Sequence, residues 1–439
     1  MTTPIADFVR QYQENKTARF HMPGHKGKGP LGCEGLDITE VRGADALYEA
    51  EGIIAESEVN ATALFGSGRT VYSTEGSSQC IRAMLYLALT NRPAGASATV
   101  VAARNVHKAF VYAAALLDFE VVWLWPEESR SICGCPITAE NLENTLKRLP
   151  APPAAVYLTS PDYLGAMANI SALSEVAHRY GTILVVDNAH GAYLRFLPES
   201  CHPLDLGADL CCDSAHKTLP VLTGGAYLHI AKRLPAVFCE NAKAAMALFG
   251  STSPSYLTMI SLDLCNGELA GEYPARLRDV CDRLENLREN LRANGWQTAE
   301  TDPLRLTLRC RGTEIADRLR EYGMECEYAD PESLVLMLTP DNTPEELERI
   351  TAALGRQENG GEEEVFLPLA KGEQVCTIRQ ALFAPHEVIP AEEALGRICG
   401  APTVACPPAI PIAVSGERIG EEALVLFRHY GVEIVDVLK

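Results

Sequence analysis

An α/β architecture with a mainly parallel sheet, followed by a smaller C-terminal α+β region, is the fold class this sequence predicts. Three observations predict it. From about residue 98 to residue 229, short β-branched runs alternate with helical patterns, as in a sheet covered on both faces. Chemistry-bearing residues fall at or just beyond the strand ends, where open α/β sheets build their sites. The remainder, beyond a helical stretch near 254–284, mixes short strands and helices on a smaller scale.

Taken in order, residues 1–50 form an N-terminal arm, because His21-Met22-Pro23-Gly24-His25-Lys26-Gly27-Lys28-Gly29 is too rich in Gly and Pro for an element interior. Residues 51–270 form the large domain. Its strands are expected at 98–102, 120–124, 155–159, 182–187, 209–212 and 225–230, with helices at 77–90, 108–117, 139–149 and 171–180. Residues 271–439 form the small region, with strands at 304–310 and 333–339 and helices at 312–322 and 343–355. The charged run at 358–364 reads as a solvated linker.

Composition narrows the function. The 439 residues suffice for two or three domains, and 47% hydrophobic content fits an ordinary globular chain. No apolar run is long enough for a membrane span, and residues 1–19 lack a signal-like apolar core, so a cytoplasmic protein is expected. With 38 basic against 58 acidic residues the formal charge is -20, which repels a phosphate backbone and argues against nucleic acid. Fifteen scattered cysteines fit reduced, packed thiols, and Cys133-Gly134-Cys135 without a second pair or a nearby histidine makes no metal site.

Two strand ends carry the chemistry. The run 182–187 closes in Asp187, followed by Asn188-Ala189-His190-Gly191, and the run 209–212 leads into Ser214-Ala215-His216-Lys217-Thr218. A lysine just past a buried strand, partly desolvated between hydroxyls and an imidazole, serves as an amine nucleophile. A carboxylate on the neighbouring strand end suits pyridoxal phosphate: the acid keeps the pyridine nitrogen protonated and the lysine holds the aldehyde. Gly76-Ser77-Ser78 opens a helix upstream of this pair, where free N–H groups and hydroxyls can cradle a phosphate. His107, between a strand and a helix, could lay an imidazole face on a cofactor ring. Ser214-x-x-Lys217 also matches the signature of penicillin-recognising acyl enzymes, but the Lys-Thr-Gly strand and export signal of that class are missing.

In that order these residues closely resemble the ornithine/lysine/arginine decarboxylases of fold type I, in their short bacterial form. The resemblance runs through Phe20-His21-Met22-Pro23-Gly24-His25-Lys26, Asp37-Ile38-Thr39-Glu40, Gly76-Ser77-Ser78, Arg104-Asn105-Val106-His107-Lys108 and Ser160-Pro161-Asp162-Tyr163-Leu164-Gly165. It continues through Asp187-Asn188-Ala189-His190-Gly191, Ser214-Ala215-His216-Lys217, Ser251-Thr252-Ser253-Pro254-Ser255-Tyr256, Gly396-Arg397-Ile398, Pro407-Pro408-Ala409-Ile410-Pro411 and Ser415-Gly416-Glu417. It implies that Lys217 forms the internal aldimine, Asp187 pairs with the pyridine nitrogen, His107 stacks on the ring and His190 lies beside it. Ser77, Ser78, Ser214 and His216 would lie at the phosphate, and Ser251-Thr252 would reach the phosphate of a partner subunit in a homodimer or larger assembly. The chain departs from the family pattern at Asn188, where a glutamate is usual, and at Asp162, Ala409 and Ser415.

The expected activity is decarboxylation of arginine, lysine or ornithine to the corresponding amine. The alternatives are an aminotransferase or other α-carbon chemistry on the same fold, for which Arg379 or Arg397 would face the substrate carboxylate, and a catalytically inactive homologue. A basic substrate needs a carboxylate for its distal cation, since an unpaired buried charge is costly. The candidates are Glu40, Asp45 and Glu417.

Overall fold

The computed structural model describes residues 1–129, 131–357, 369–404 and 408–439. The run expected as a linker at 358–364 and Pro407 lie outside the described residues. Among the described residues, no helix is long and apolar enough to cross a membrane, and the cysteines are free thiols.

Seven strands recur through the α/β part: β1 (Arg69–Ser73), β2 (Thr99–Ala103), β3 (Glu120–Leu124), β4 (Ala155–Thr159), β5 (Ile183–Asp187), β6 (Leu210–Asp213) and β7 (Ala226–Ile230). The sequence reading missed β1, whose Arg-Thr-Val-Tyr-Ser carries little apolar signal. The first four helices are α1 (Pro4–Glu14), α2 (Ile53–Phe65), α3 (Ser77–Thr90) and α4 (Lys108–Leu117). The chain divides into two compact units, residues 1–94 with 183–276 and residues 95–182 with 277–439. Each is discontinuous, whereas the boundaries read from the sequence are not.

In the first unit the strand order is β1-β7-β6-β5. β5 and β6 are parallel, so Asp187 and Asp213 close their strands at one end, while β7 returns antiparallel to β6 and β1 pairs antiparallel with β7. The reversal has a local cause. Between β6 and β7 the chain holds one helical turn, Ala215–Thr218, and no crossover helix such as a parallel return requires. Leu184, Val185, Val186, Leu210, Cys211 and Cys212 have no exposed surface, which explains the unbroken apolar runs.

The N-terminal segment is not wholly an arm. α1 docks with Ile5 and Val9 fully buried, and the Ile5 and Ala6 amides both donate to Asp263 Oδ2 at 2.9 Å. Ser57 donates to the other oxygen at 2.5 Å. Residues 21–29 do form turns without helix or strand, as their Gly and Pro content requires. Burial pushes the Asp263 carboxyl up to about 6, against the lowering pull of Ser57 and the two amides. Its folded value therefore lies above the unfolded one, the folded state takes up the extra proton in that window, and stability rises as pH falls through about 6. Asp263→Asn should flatten that part of the profile, read as denaturant midpoints near pH 7 and near pH 5. A wild-type slope in the variant would show that the carboxyl titrates normally.

In the second unit β2 lies between β4 and β3, parallel to both. A four-stranded antiparallel sheet follows, in the order Tyr328–Ala329, Ser333–Met337, Arg305–Arg309, Gln297–Thr298. Leu284, Trp296, Leu306, Leu319, Leu334 and Leu354 form part of its core. Here the sequence-predicted strands and helices fall within two residues of the observed ones.

Candidate active site

The short turn after β6 puts Lys217 on a single helical turn, half-buried, with Nζ 2.8 Å from His190 Nε2. Across that distance the Lys217 ammonium can donate to a neutral His190 Nε2, and the free amine can accept from a protonated one. The preceding His216 is held differently. Its Nδ1 lies 2.9 Å from the Gly225 carbonyl, which only accepts, so the proton sits on Nδ1. Burial pulls the His216 pKa down, the Gly225 bond opposes that, and the adjacent Lys217 charge lowers it further.

The turn meets the start of α3. Gly76 has φ +71°, a conformation that L side chains rarely adopt, and a Cβ there would meet nothing within 4 Å. The N-cap Gly76 offers no side chain to α3, and the Ser77 and Ser78 hydroxyls follow it on the first turn, where the Gln79 amide donates to the Gly76 carbonyl at 3.2 Å. Ser214 Oγ donates to Ser77 Oγ at 2.8 Å, joining the lysine turn to the helix start. The Gly76 amide donates to the Gly224 carbonyl at 2.8 Å, and the next carbonyl, Gly225, takes the His216 amide at 3.2 Å.

Asp187 is 2% exposed, and its Oδ1 accepts from the Ala189 amide at 3.1 Å and the Cys212 thiol at 3.6 Å. Register pairs Asp187 with Cys212, so the carboxylate stands one strand from the start of the lysine turn. His190 follows on the turn closed by Gly191 N–H donating to the Asn188 carbonyl at 2.8 Å. The first unit thus gathers Gly76, Ser77, Ser78, Asp187, His190, Ser214, His216 and Lys217 at one end of β5 and β6.

Other expected residues stand elsewhere. His107 belongs to the second unit and caps α4, its Nδ1 accepting from the Ala109 amide at 3.1 Å. Ser251 and Thr252 are exposed, with Ser251 Oγ accepting from the Ser253 amide at 3.1 Å. Asp45 is a backbone anchor: its oxygens accept from Ala46, Glu51, Gly52, Ile54 and Ala55 amides. Burial would raise its pKa, but those bonds prevail and hold it below the usual range. Glu40 is exposed and accepts from the Thr39 hydroxyl. Arg379 donates to the Ala115 carbonyl at 2.8 Å, and Arg397 to Glu387 and the Leu438 carbonyl at 2.5 and 2.7 Å. Burial pushes the Cys135 thiol up to about 11, which disfavours a metal-binding thiolate.

Glu417 is 3% exposed and pairs with Arg104 at 3.3 Å, and it also accepts from the Val414 amide at 2.8 Å. Arg104 in turn donates to the Pro411 and Ile412 carbonyls and lies over Trp123 and Trp125. Burial raises the Glu417 pKa while Arg104 lowers it. Glu417→Ala leaves that guanidinium buried and unpaired, so it should cost about 3 kcal/mol of stability. Chemical denaturation measures this; an unchanged midpoint would show that the pair contributes nothing.

Sequence reasoning missed Gly224, Gly225, Tyr48 and Gln79. Gln79 is fully buried, accepts from Ser73 Oγ at 2.6 Å, and donates to Tyr48 OH at 2.9 Å and the Met246 carbonyl at 2.8 Å. A Cβ on Gly250 would fall 1.8 Å from that Tyr48 hydroxyl, so this glycine lets the chain leading to Ser251 pass close to the α3 start. A Gly-Gly pair between Lys217 and β7 was the one available signal.

Fold and site define an α/β enzyme with a lysine, a histidine and a buried carboxylate at adjacent strand ends. The family model "Orn/Lys/Arg decarboxylase, major domain" matches residues 3–342. The chain belongs to the Orn/Lys/Arg decarboxylase family and is an amino-acid decarboxylase of that group. It is 28% identical to the uncharacterized protein YaaO of Bacillus subtilis (strain 168), over 97% of this chain and 93% of that one. It is 27% identical to the arginine decarboxylase of the same strain, over 96% and 92% respectively. The lysine decarboxylase of Francisella novicida shares the fold at TM-score 0.80 and 17% identity, covering 100% of this chain and 81% of that one. The fold is type I, as the sequence predicted.

Proposed function

We propose that the chain binds pyridoxal phosphate through Lys217 and decarboxylates a basic amino acid. The observation that carries this reading is the convergence in one unit of an amine beside an imidazole, a buried carboxylate and an uncapped helix start. The residues fit the cofactor. Open space in front of Gly76, with Ser77, Ser78 and Ser214 around it, suits a phosphate, and Lys217 Nζ is the group to hold the aldehyde. Bound pyridoxal phosphate supplies the electron sink that lets a bond to the α-carbon break. Asp187, a carboxyl buried at a strand end, is the residue that would keep the ring nitrogen protonated. His190 would hold or return a proton at Lys217 Nζ, 2.8 Å away.

Relatives named arginine decarboxylase support a basic substrate. Because Asp45 and Glu417 are engaged by backbone amides and by Arg104, Glu40 is the carboxylate we assign to the distal cation. Glu40→Gln should raise KM for the basic amino acid about tenfold or more and leave cofactor affinity unchanged, because only the charge on the distal group loses its partner. An unaltered KM removes Glu40 from that role. We further assign a homodimer in which the exposed Ser251 and Thr252 reach the partner's phosphate; light scattering that shows only monomer overturns this. Product analysis with cofactor-loaded protein and arginine, lysine and ornithine in turn tests the activity. Carbon dioxide with the matching amine supports it, and a keto acid overturns it in favour of transamination.

A further inference from the structure

On the face of the sheet opposite Asp187, four buried polar residues meet. Asp187 and Cys212 share one face, as their 3.6 Å contact shows, so the residues that follow them, Asn188 just past β5 and Asp213 at the end of β6, turn to the other. Asn188 Nδ2 donates to Asp213 Oδ1 at 2.7 Å. On the other oxygen, Oδ2, converge His202 Nε2 at 3.1 Å and His229 Nε2 at 3.0 Å. All four residues have no exposed surface.

The donor pattern is determined. The Leu204 amide points at His202 Nδ1 at 3.4 Å and can only donate, so that ring presents its proton on Nε2 to the carboxylate. His229 Nδ1 lies 2.8 Å from the Thr70 hydroxyl, leaving its Nε2–H for Asp213. Burial alone would raise Asp213, and the two histidines outweigh it and hold the carboxyl below its ordinary range. A carboxylate so placed accepts from an amide N–H but repels a second carboxylate, which suits Asn188 beside it.

We infer that Asn188 and Asp213, backed by His202 and His229, are positioning residues: they tie the ends of β5 and β6 together and thereby fix Asp187 against the Lys217 turn. The inference rests on the cofactor reading above. Its test uses the full-length protein and pyridoxal phosphate, with Asn188→Ala, Asn188→Asp and the exchange Asn188→Asp with Asp213→Asn. The exchange preserves the bonds among the four residues, since an amide at 213 accepts from both histidines and donates to a carboxylate at 188, and only the long Cys211 thiol contact to Asp213 Oδ1, 3.7 Å, loses its acceptor. Three quantities are measured: cofactor dissociation constant, visible circular dichroism per bound cofactor, and melting temperature.

Asn188→Ala should keep the wild-type fold yet bind cofactor about tenfold more weakly with a diminished visible band, as loss of one buried tie implies. Asn188→Asp should be worse, and the exchange should recover most of the affinity and the band. Single variants that lose only melting temperature, with wild-type affinity and band, overturn the positioning role, as does an exchange that rescues nothing. A wild-type protein that takes up no pyridoxal phosphate overturns the cofactor reading and this inference together.

Discussion

Lys217→Ala is expected to leave a folded protein that forms no borohydride-reducible bond with pyridoxal phosphate and loses decarboxylation by about a thousandfold or more. The fold should survive because Lys217 sits half-buried on a single helical turn whose Ala215 and Thr218 are the buried members. Lys243, a buried lysine of the same unit, is not placed to replace it. It is held by Glu58 at 2.6 Å and by the Leu47 carbonyl at 2.5 Å. Reduction with borohydride followed by peptide mapping reads the result directly. Labelling at any lysine other than 217 in the wild-type protein would overturn the assignment.

Asp187→Ala should lower turnover about a thousandfold, while Asp187→Glu should retain a much larger share, because only a carboxylate can hold a proton on the ring nitrogen. The loss should lie in kcat more than in stability. Removing the side chain orphans the Ala189 amide and the Cys212 thiol, about 1–2 kcal/mol, which is small beside the catalytic effect. Steady-state kinetics alongside a thermal melt separates the two. Equal losses in the alanine and glutamate variants would mean that placement, and not charge, is what Asp187 supplies.

Much of this site was legible in the chain. As candidates, Gly76-Ser77-Ser78, Asp187, His190 and Lys217 could be read off the chain because each is a particular residue type at a strand end or helix start, and a strand end is marked by where an apolar run stops. α1 was missed because its packing depends on Asp263, more than two hundred residues away, which caps Ile5 and Ala6. Gln79 and Tyr48 escaped for the same reason, their partners being remote in sequence.

By itself, then, the sequence determined the parallel α/β class and the order of the chemical groups along it, since both follow from local periodicity and turn chemistry. Which carboxylates are occupied was decided only by tertiary structure. Glu417 and Asp45 look like equally available acids in the chain, yet one meets Arg104 and the other a nest of five amides, while Asp213 gathers two histidines and Asn188. The physical reason is that a carboxylate's role is set by the donors that reach it, and those donors come from segments the chain brings together only on folding.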